Sequence, residues 1–163
     1  SGWGSADVGG AWTALYSSAS LASVSGGKGV MALAPGNTMN MALRGVSVTD
    51  TRTETSFSLS SAPSTGSSYV GVVARQSASA DYTVRAWMRN DATVWLVTQR
   101  SGTVLDARQV PGMTWSAGDD MQLKVEVSGT NPTAASIHRA NATSPRASSI
   151  ACSCRHIVSR TAV

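Results

Sequence analysis

Two eight-residue runs, Tyr82-Thr83-Val84-Arg85-Ala86-Trp87-Met88-Arg89 and Thr93-Val94-Trp95-Leu96-Val97-Thr98-Gln99-Arg100, are separated only by Asn90-Asp91-Ala92 and decide the fold. Their side chains alternate with a period of two. Val84, Ala86 and Met88 fall on one side of the first run, with Arg85, Trp87 and Arg89 on the other. Aromatic and β-branched residues at that period suit a pleated, half-buried strand, and a three-residue polar joint suits a hairpin.

Working outward, Ser68-Tyr69-Val70-Gly71-Val72-Val73-Ala74-Arg75 reads as a strand upstream, and Ser101-Gly102 turns the chain into Thr103-Val104-Leu105 downstream. Thr51 to Leu59 alternates strictly, with Thr53, Thr55 and Phe57 opposite Arg52, Glu54 and Ser56. Met121, Leu123, Val125 and Val127 point one way while Gln122, Lys124 and Glu126 point the other. Lys28–Leu33 and Thr38–Arg44 add further strands, with Met39, Met41 and Leu43 on one face, and Ala134–His138 adds one more. Pro111-Gly112 and Ala117-Gly118-Asp119-Asp120 read as turns, and Gly26-Gly27-Lys28-Gly29 as a hairpin turn. The pattern predicts an all-β chain: about ten short strands spaced roughly 8–12 residues apart in an antiparallel β-sandwich or jelly roll. Residues 1–139 make one such unit, and 140–163 form an atypical basic tail, expected to be loosely ordered because alternation stops there. Without closing strands from the tail the sandwich is expected to expose a strand edge, which predicts self-association or pairing with a neighbouring chain.

Composition narrows the function classes. Hydrophobic residues are 42% and charged ones 13%, half the usual charged share of about 25%, so neither a disordered chain nor a coiled coil fits. No run approaches the roughly 20 apolar residues of a membrane span. The formal charge is +4, but Arg146, Arg155 and Arg160 lie in the tail, leaving ten bases against nine acids before residue 140. A near-neutral body argues against nucleic-acid binding. Cys152 and Cys154 are two apart in the tail, too close for an unstrained disulfide, and with His156 they offer three metal ligands, not four. A body free of cysteine suits a secreted protein whose core needs no staple. Ser1-Gly2-Trp3-Gly4 reads as the middle of a loop, as in a segment of a longer protein.

Gly2-Trp3-Gly4-Ser5-Ala6-Asp7-Val8-Gly9-Gly10-Ala11-Trp12-Thr13, with Tyr69–Arg75, Tyr82–Arg89, Asp91–Val97 and Gly129-Thr130-Asn131-Pro132-Thr133, resembles a concanavalin A-like (laminin-G-like) jelly-roll module. Such modules occur in large secreted proteins of high-GC Gram-positive bacteria and in tail proteins of their phages. The arginine bias, eleven of 13 bases, agrees with a high-GC source. The resemblance covers about residues 2–139 and implies an extracellular or surface location and sugar binding. It also allows calcium at loop aspartates, for which Asp7, Asp50, Asp91, Asp119 and Asp120 are the candidates, although no calcium-loop spacing is present. No other cofactor is called for.

An enzymatic inventory comes up short. His138 and His156 are the only histidines, and neither a G-x-S-x-G, an H-E-x-x-H nor a phosphate loop occurs. Glu54 and Glu126 stand in no paired-carboxylate motif of a glycosidase. The central strands offer more. With Val70, Val72, Ala74, Val84, Ala86, Met88, Val94 and Leu96 facing the core, the opposite face presents Tyr69, Val73, Arg75, Arg85, Trp87, Arg89, Trp95, Val97 and Gln99. Rings that stack on sugar faces, beside Arg and Gln that hydrogen-bond hydroxyls, make a carbohydrate platform of Tyr69, Arg75, Arg85, Trp87, Arg89, Trp95 and Gln99. The other reading has Trp87 and Trp95 packed beneath a second sheet or a neighbouring domain. Trp3 and Trp12 read as core or edge anchors, and Trp115 as the cap of a sheet end. The expected function is a non-catalytic, extracellular carbohydrate-binding or surface-attachment module whose partner is a glycan or cell-surface polysaccharide. The alternative is an assembly module of a fibre or phage tail that contacts like chains or neighbouring domains through strand edges.

Overall fold

The computed structural model describes residues 2–77, 80–129 and 131–140, with the backbone alone at 131, 133 and 158–160. The described residues form thirteen strands and one 3-10 turn, Ala19–Leu21. The strands are β1 (Ser5–Ala6), β2 (Gly10–Leu15), β3 (Ala22–Ser25), β4 (Lys28–Met31), β5 (Asn40–Leu43), β6 (Thr51–Phe57) and β7 (Ser67–Gln76). They continue with β8 (Asp81–Arg89), β9 (Thr93–Arg100), β10 (Thr103–Thr114), β11 (Met121–Ser128), β12 (Asn131–Arg139) and β13 (Val158–Arg160). The nine strands named from the sequence correspond to β4 to β12, and β1, β2, β3 and β13 are additional. The expectation of a loosely ordered tail falls on residues that lie, apart from 140 and 158–160, outside the described ones; the backbone at 158–160 pairs in parallel with β7.

Two layers make the sandwich. A five-stranded sheet runs in the order β10-β9-β8-β7-β13, and a three-stranded sheet runs β12-β11-β6. Between them, Val72, Val84, Ala86, Met88 and Val94 from the first pack against Met121, Leu123, Val125, Val127 and Ile137 from the second. Alternate residues of both layers thus converge on one interior, as period-two patterning requires. Thr53 and Thr55 of β6 complete the wall as buried polar residues. A smaller unit, β1-β2-β5 with the β3-β4 hairpin, has its own cluster of Ala22, Met39 and Met41 under Trp3 and Trp12. Those two indoles meet edge to face at 5.4 Å, so they anchor a core as expected. Strand β5 is buried on both faces, because Ala42 packs the other way, onto Val73 of β7 and Leu15.

The turns follow their chemistry. Gly26-Gly27 (φ +57° and +74°) closes the β3–β4 hairpin with Ser25 opposite Lys28, a two-residue turn whose positive φ at both positions favours glycine. Pro111-Gly112 is a correction: it reverses nothing and lies inside β10, where the ladder to β9 is interrupted between Gln109 and Thr114. A prolyl nitrogen donates no hydrogen bond, so at this sheet edge it makes an irregularity within a strand rather than a turn. Trp115 lies buried at the end of the core, its indole N–H donating to Arg89 O at 3.0 Å beneath the β8–β9 hairpin.

Candidate functional site: an aromatic and cationic sheet face

The outward face of the five-stranded sheet is built by cross-strand register. Tyr69 of β7 stands opposite Trp87 of β8, Trp87 opposite Trp95 of β9, and Trp95 opposite Gln109 of β10. Three rings therefore cross three adjacent strands in one row. Tyr69 is 53% exposed, and its ring meets Trp87 edge-on at 5.3 Å; both tryptophans are half-buried. The Trp87 indole N–H is shut off from solvent and has no hydrogen-bond partner among the described residues. Neither tryptophan belongs to the core between the sheets, which overturns packing beneath the second sheet: their parity on the strand turns them the other way.

Cations flank the row. Arg89 sits over the Trp95 ring at 5.9 Å, and its Nε lies 3.3 Å from Asp91 Oδ2, a charge contact off the line of a hydrogen bond. Asp91 accepts hydrogen bonds from the Thr93 amide (2.9 Å) and hydroxyl (2.6 Å), and the Trp95 indole N–H donates to Thr93 Oγ1 at 3.3 Å. The hairpin tip thereby orients both Arg89 and Trp95. The hydroxyl and amide of Thr93, and then the charge of Arg89, hold the Asp91 carboxyl below its ordinary pKa. One register step along, Arg85 lies across Gly71, where an added Cβ would come within 2.5 Å of Val84 O and 2.8 Å of Arg85 Cγ. Only glycine leaves the Arg85 stem that path. Arg85 has no ion-pair partner among the described residues.

Five of the seven expected residues, Tyr69, Arg85, Trp87, Arg89 and Trp95, share this face. Arg75 does not. The β7–β8 register slips between Val73 and Arg75, so Arg75 pairs with Tyr82 and its guanidinium donates to Gly129 O at the end of β11 in the opposite sheet. A bulge adds one residue and reverses parity beyond it. Gln99 has the expected parity but is buried, and its Oε1 has no partner among the described residues. Its end of the face, with Val73, Thr83 and Val97, is buried too, and at Val73 the cover is Ala42 and Leu15. Asp91, Thr93, Gly71 and Gln109 lie outside the platform that alternation predicts. The D-x-T spacing in a hairpin joint is the signal for the first two, and the two-residue Ser101-Gly102 turn carries the face onto β10.

Three of the five loop aspartates, Asp50, Asp91 and Asp119, bind their own chain. Asp50 accepts from Gly129 N at 2.8 Å, and Asp119 accepts from Ser116 N at 2.7 Å while pairing with Arg139 at 3.0 Å. Among the described residues, no three of His, Cys, Asp or Glu come together as a metal-binding group. No described helix is long and apolar enough to cross a membrane. Compared with protein-family models, with curated proteins and with solved structures, the chain matches none.

Proposed function

We propose that the chain is a non-catalytic, extracellular carbohydrate-binding module of the concanavalin A-like, jelly-roll kind, and that the Tyr69-Trp87-Trp95 row is where a polysaccharide rests. One observation carries the reading: three rings in register across three strands, half-open to solvent, with Arg85 and Arg89 beside them. Sugar rings present apolar C–H faces that stack on such rings, and guanidinium groups hydrogen-bond the hydroxyls at their rims. A rigid sheet holds the row without a lid or a catalytic pair. Glycan arrays on the whole chain test it: binding to a defined polysaccharide is expected, reduced at least about tenfold in Trp87→Ala and in Trp95→Ala. No bound glycan, or binding indifferent to both changes in folded protein, overturns it.

A second reading, an assembly module of a surface fibre or phage tail, draws on a different observation. The outer edges of β10 and β12 have no neighbouring strand among the described residues, and they flank a groove of about 1260 Å³ between the sheets. Unpaired edges beside an open core are where another chain adds a strand.

A further inference from the structure

The free edge of β10 is long, and its residues from Thr103 to Gln109 are all exposed, with Val104 at 46% and Leu105 at 55%. Its regular stretch against β9 runs Asp106↔Thr98, Ala107↔Val97, Arg108↔Leu96 and Gln109↔Trp95. Asp106 and Arg108 therefore share a face, the one turned toward the groove, and they pair with each other at 2.7 Å through solvent-exposed side chains. Across that groove, β12 shows Ala135 to solvent, although its partner Val125 is buried in the core. The three-stranded sheet thus reaches past the edge of its opposite layer and leaves room above a small side chain.

We propose that the occupant of this edge is a second copy of the chain, docked β10 against β10 in antiparallel register about a twofold axis through Ala107. The register follows from charge. In an antiparallel pair centred on Ala107, Asp106 of one copy faces Arg108 of the other, and the reciprocal pair repeats on the far side of the axis. Each ion pair that now closes within one strand then extends to four alternating charges across two. No other centre within Asp106–Gln109 gives both charges an opposite partner: centring on Asp106 or on Arg108 sets like charges face to face. Val104 and Leu105 are covered by the same contact, and the added strand directs its own groove-side residues over Ala135. The two five-stranded sheets become one continuous sheet, and the Tyr69-Trp87-Trp95 rows of both copies lie on it, related by the axis. This inference rests on the assembly reading and names its partner; the sugar reading stands apart from it.

Sedimentation velocity on the whole chain over a concentration series, in reductant so that Cys152 and Cys154 form no cross-link, provides the test. A single-strand edge is a small interface, so the expected result is a reversible, concentration-dependent dimer. Arg108→Asp sets Asp106 against aspartate at both pairs and is expected to weaken the dimer at least about tenfold. The double exchange Asp106→Arg with Arg108→Asp restores opposite charges at every pair and is expected to recover the dimer to within about threefold of the parent. Circular dichroism and tryptophan emission unchanged among the three proteins show that folding is not the variable. A dimer insensitive to Arg108→Asp, or a double exchange that fails to restore it, overturns this register while leaving assembly through another edge standing. A parent chain that stays monomeric at every concentration overturns both the register and self-assembly.

Discussion

Strand β8 has two faces whose side chains alternate one by one, and they meet opposite fates. On the inner face Val84, Ala86 and Met88 are at most 1% exposed and meet the second sheet. On the outer face Arg85, Trp87 and Arg89 are half-buried; Trp87 touches Tyr69, Arg89 touches Trp95 and Asp91, and the buried Trp87 indole N–H has no partner among the described residues. The inner face obeys packing alone. The outer one keeps large rings and charge at the surface with a polar group unsatisfied, an arrangement that costs stability and is consistent with a ligand surface.

The contrast makes its largest prediction on the inner side. Met88→Ala opens a cavity in the close-packed interior and is expected to lower unfolding free energy by about 3 kcal/mol. Trp87→Ala, one residue away and a larger truncation, is expected to cost less in the same urea titration, because its ring is only half-buried. An equal or greater loss would make the outer face a second core. Gly71→Ala comes next, at about 2 kcal/mol: the methyl meets a carbonyl of the neighbouring strand, which cannot swing aside as a flexible side-chain end does. The same change should displace Arg85 and weaken sugar binding, whereas Met88→Ala should leave binding intact in the folded fraction.

Trp115→Phe keeps most of the buried ring but takes one of two donors from Arg89 O, which retains the Ala92 amide at 3.1 Å, with an expected loss of about 1 kcal/mol. The smallest effect is at the hairpin tip. Because folding lowers the Asp91 pKa, its contribution is fully present above the pKa of the unfolded carboxyl and is lost as pH falls through the folded one. Carbon-detected NMR of the carboxyl should place its midpoint below that of an ordinary aspartate, and Thr93→Val should move it back up. A midpoint unmoved by Thr93→Val would mean that the tip does not orient Trp95 and Arg89 as described.

Most of the sandwich is legible in the residue pattern, for a physical reason that shows at β11. Met121, Leu123, Val125 and Val127 alternate with polar neighbours because one face of an antiparallel sheet is dry and the other wet, and all four are buried. The same rule places Tyr69, Trp87 and Trp95 on a common side. It fails at Arg75, because the bulge comes from the pairing of two ladders and leaves no mark in local composition. It fails at Gln99, whose parity is as expected but whose side chain is buried along with Val73, Thr83 and Val97; at Val73 the cover comes from Ala42 and Leu15 of the β2–β5 ribbon, chain from outside the central strands.

What residue order alone carries, then, is the all-β character, the inner face and the chemistry available to the outer one, since period-two alternation and turn residues are local properties of a chain. Cross-strand register, the bulge at Arg75, the cover over Val73 and the unmatched widths of the two sheets arise between segments distant in sequence. They depend on which strand edges meet, and that is settled only when the whole interior packs at once.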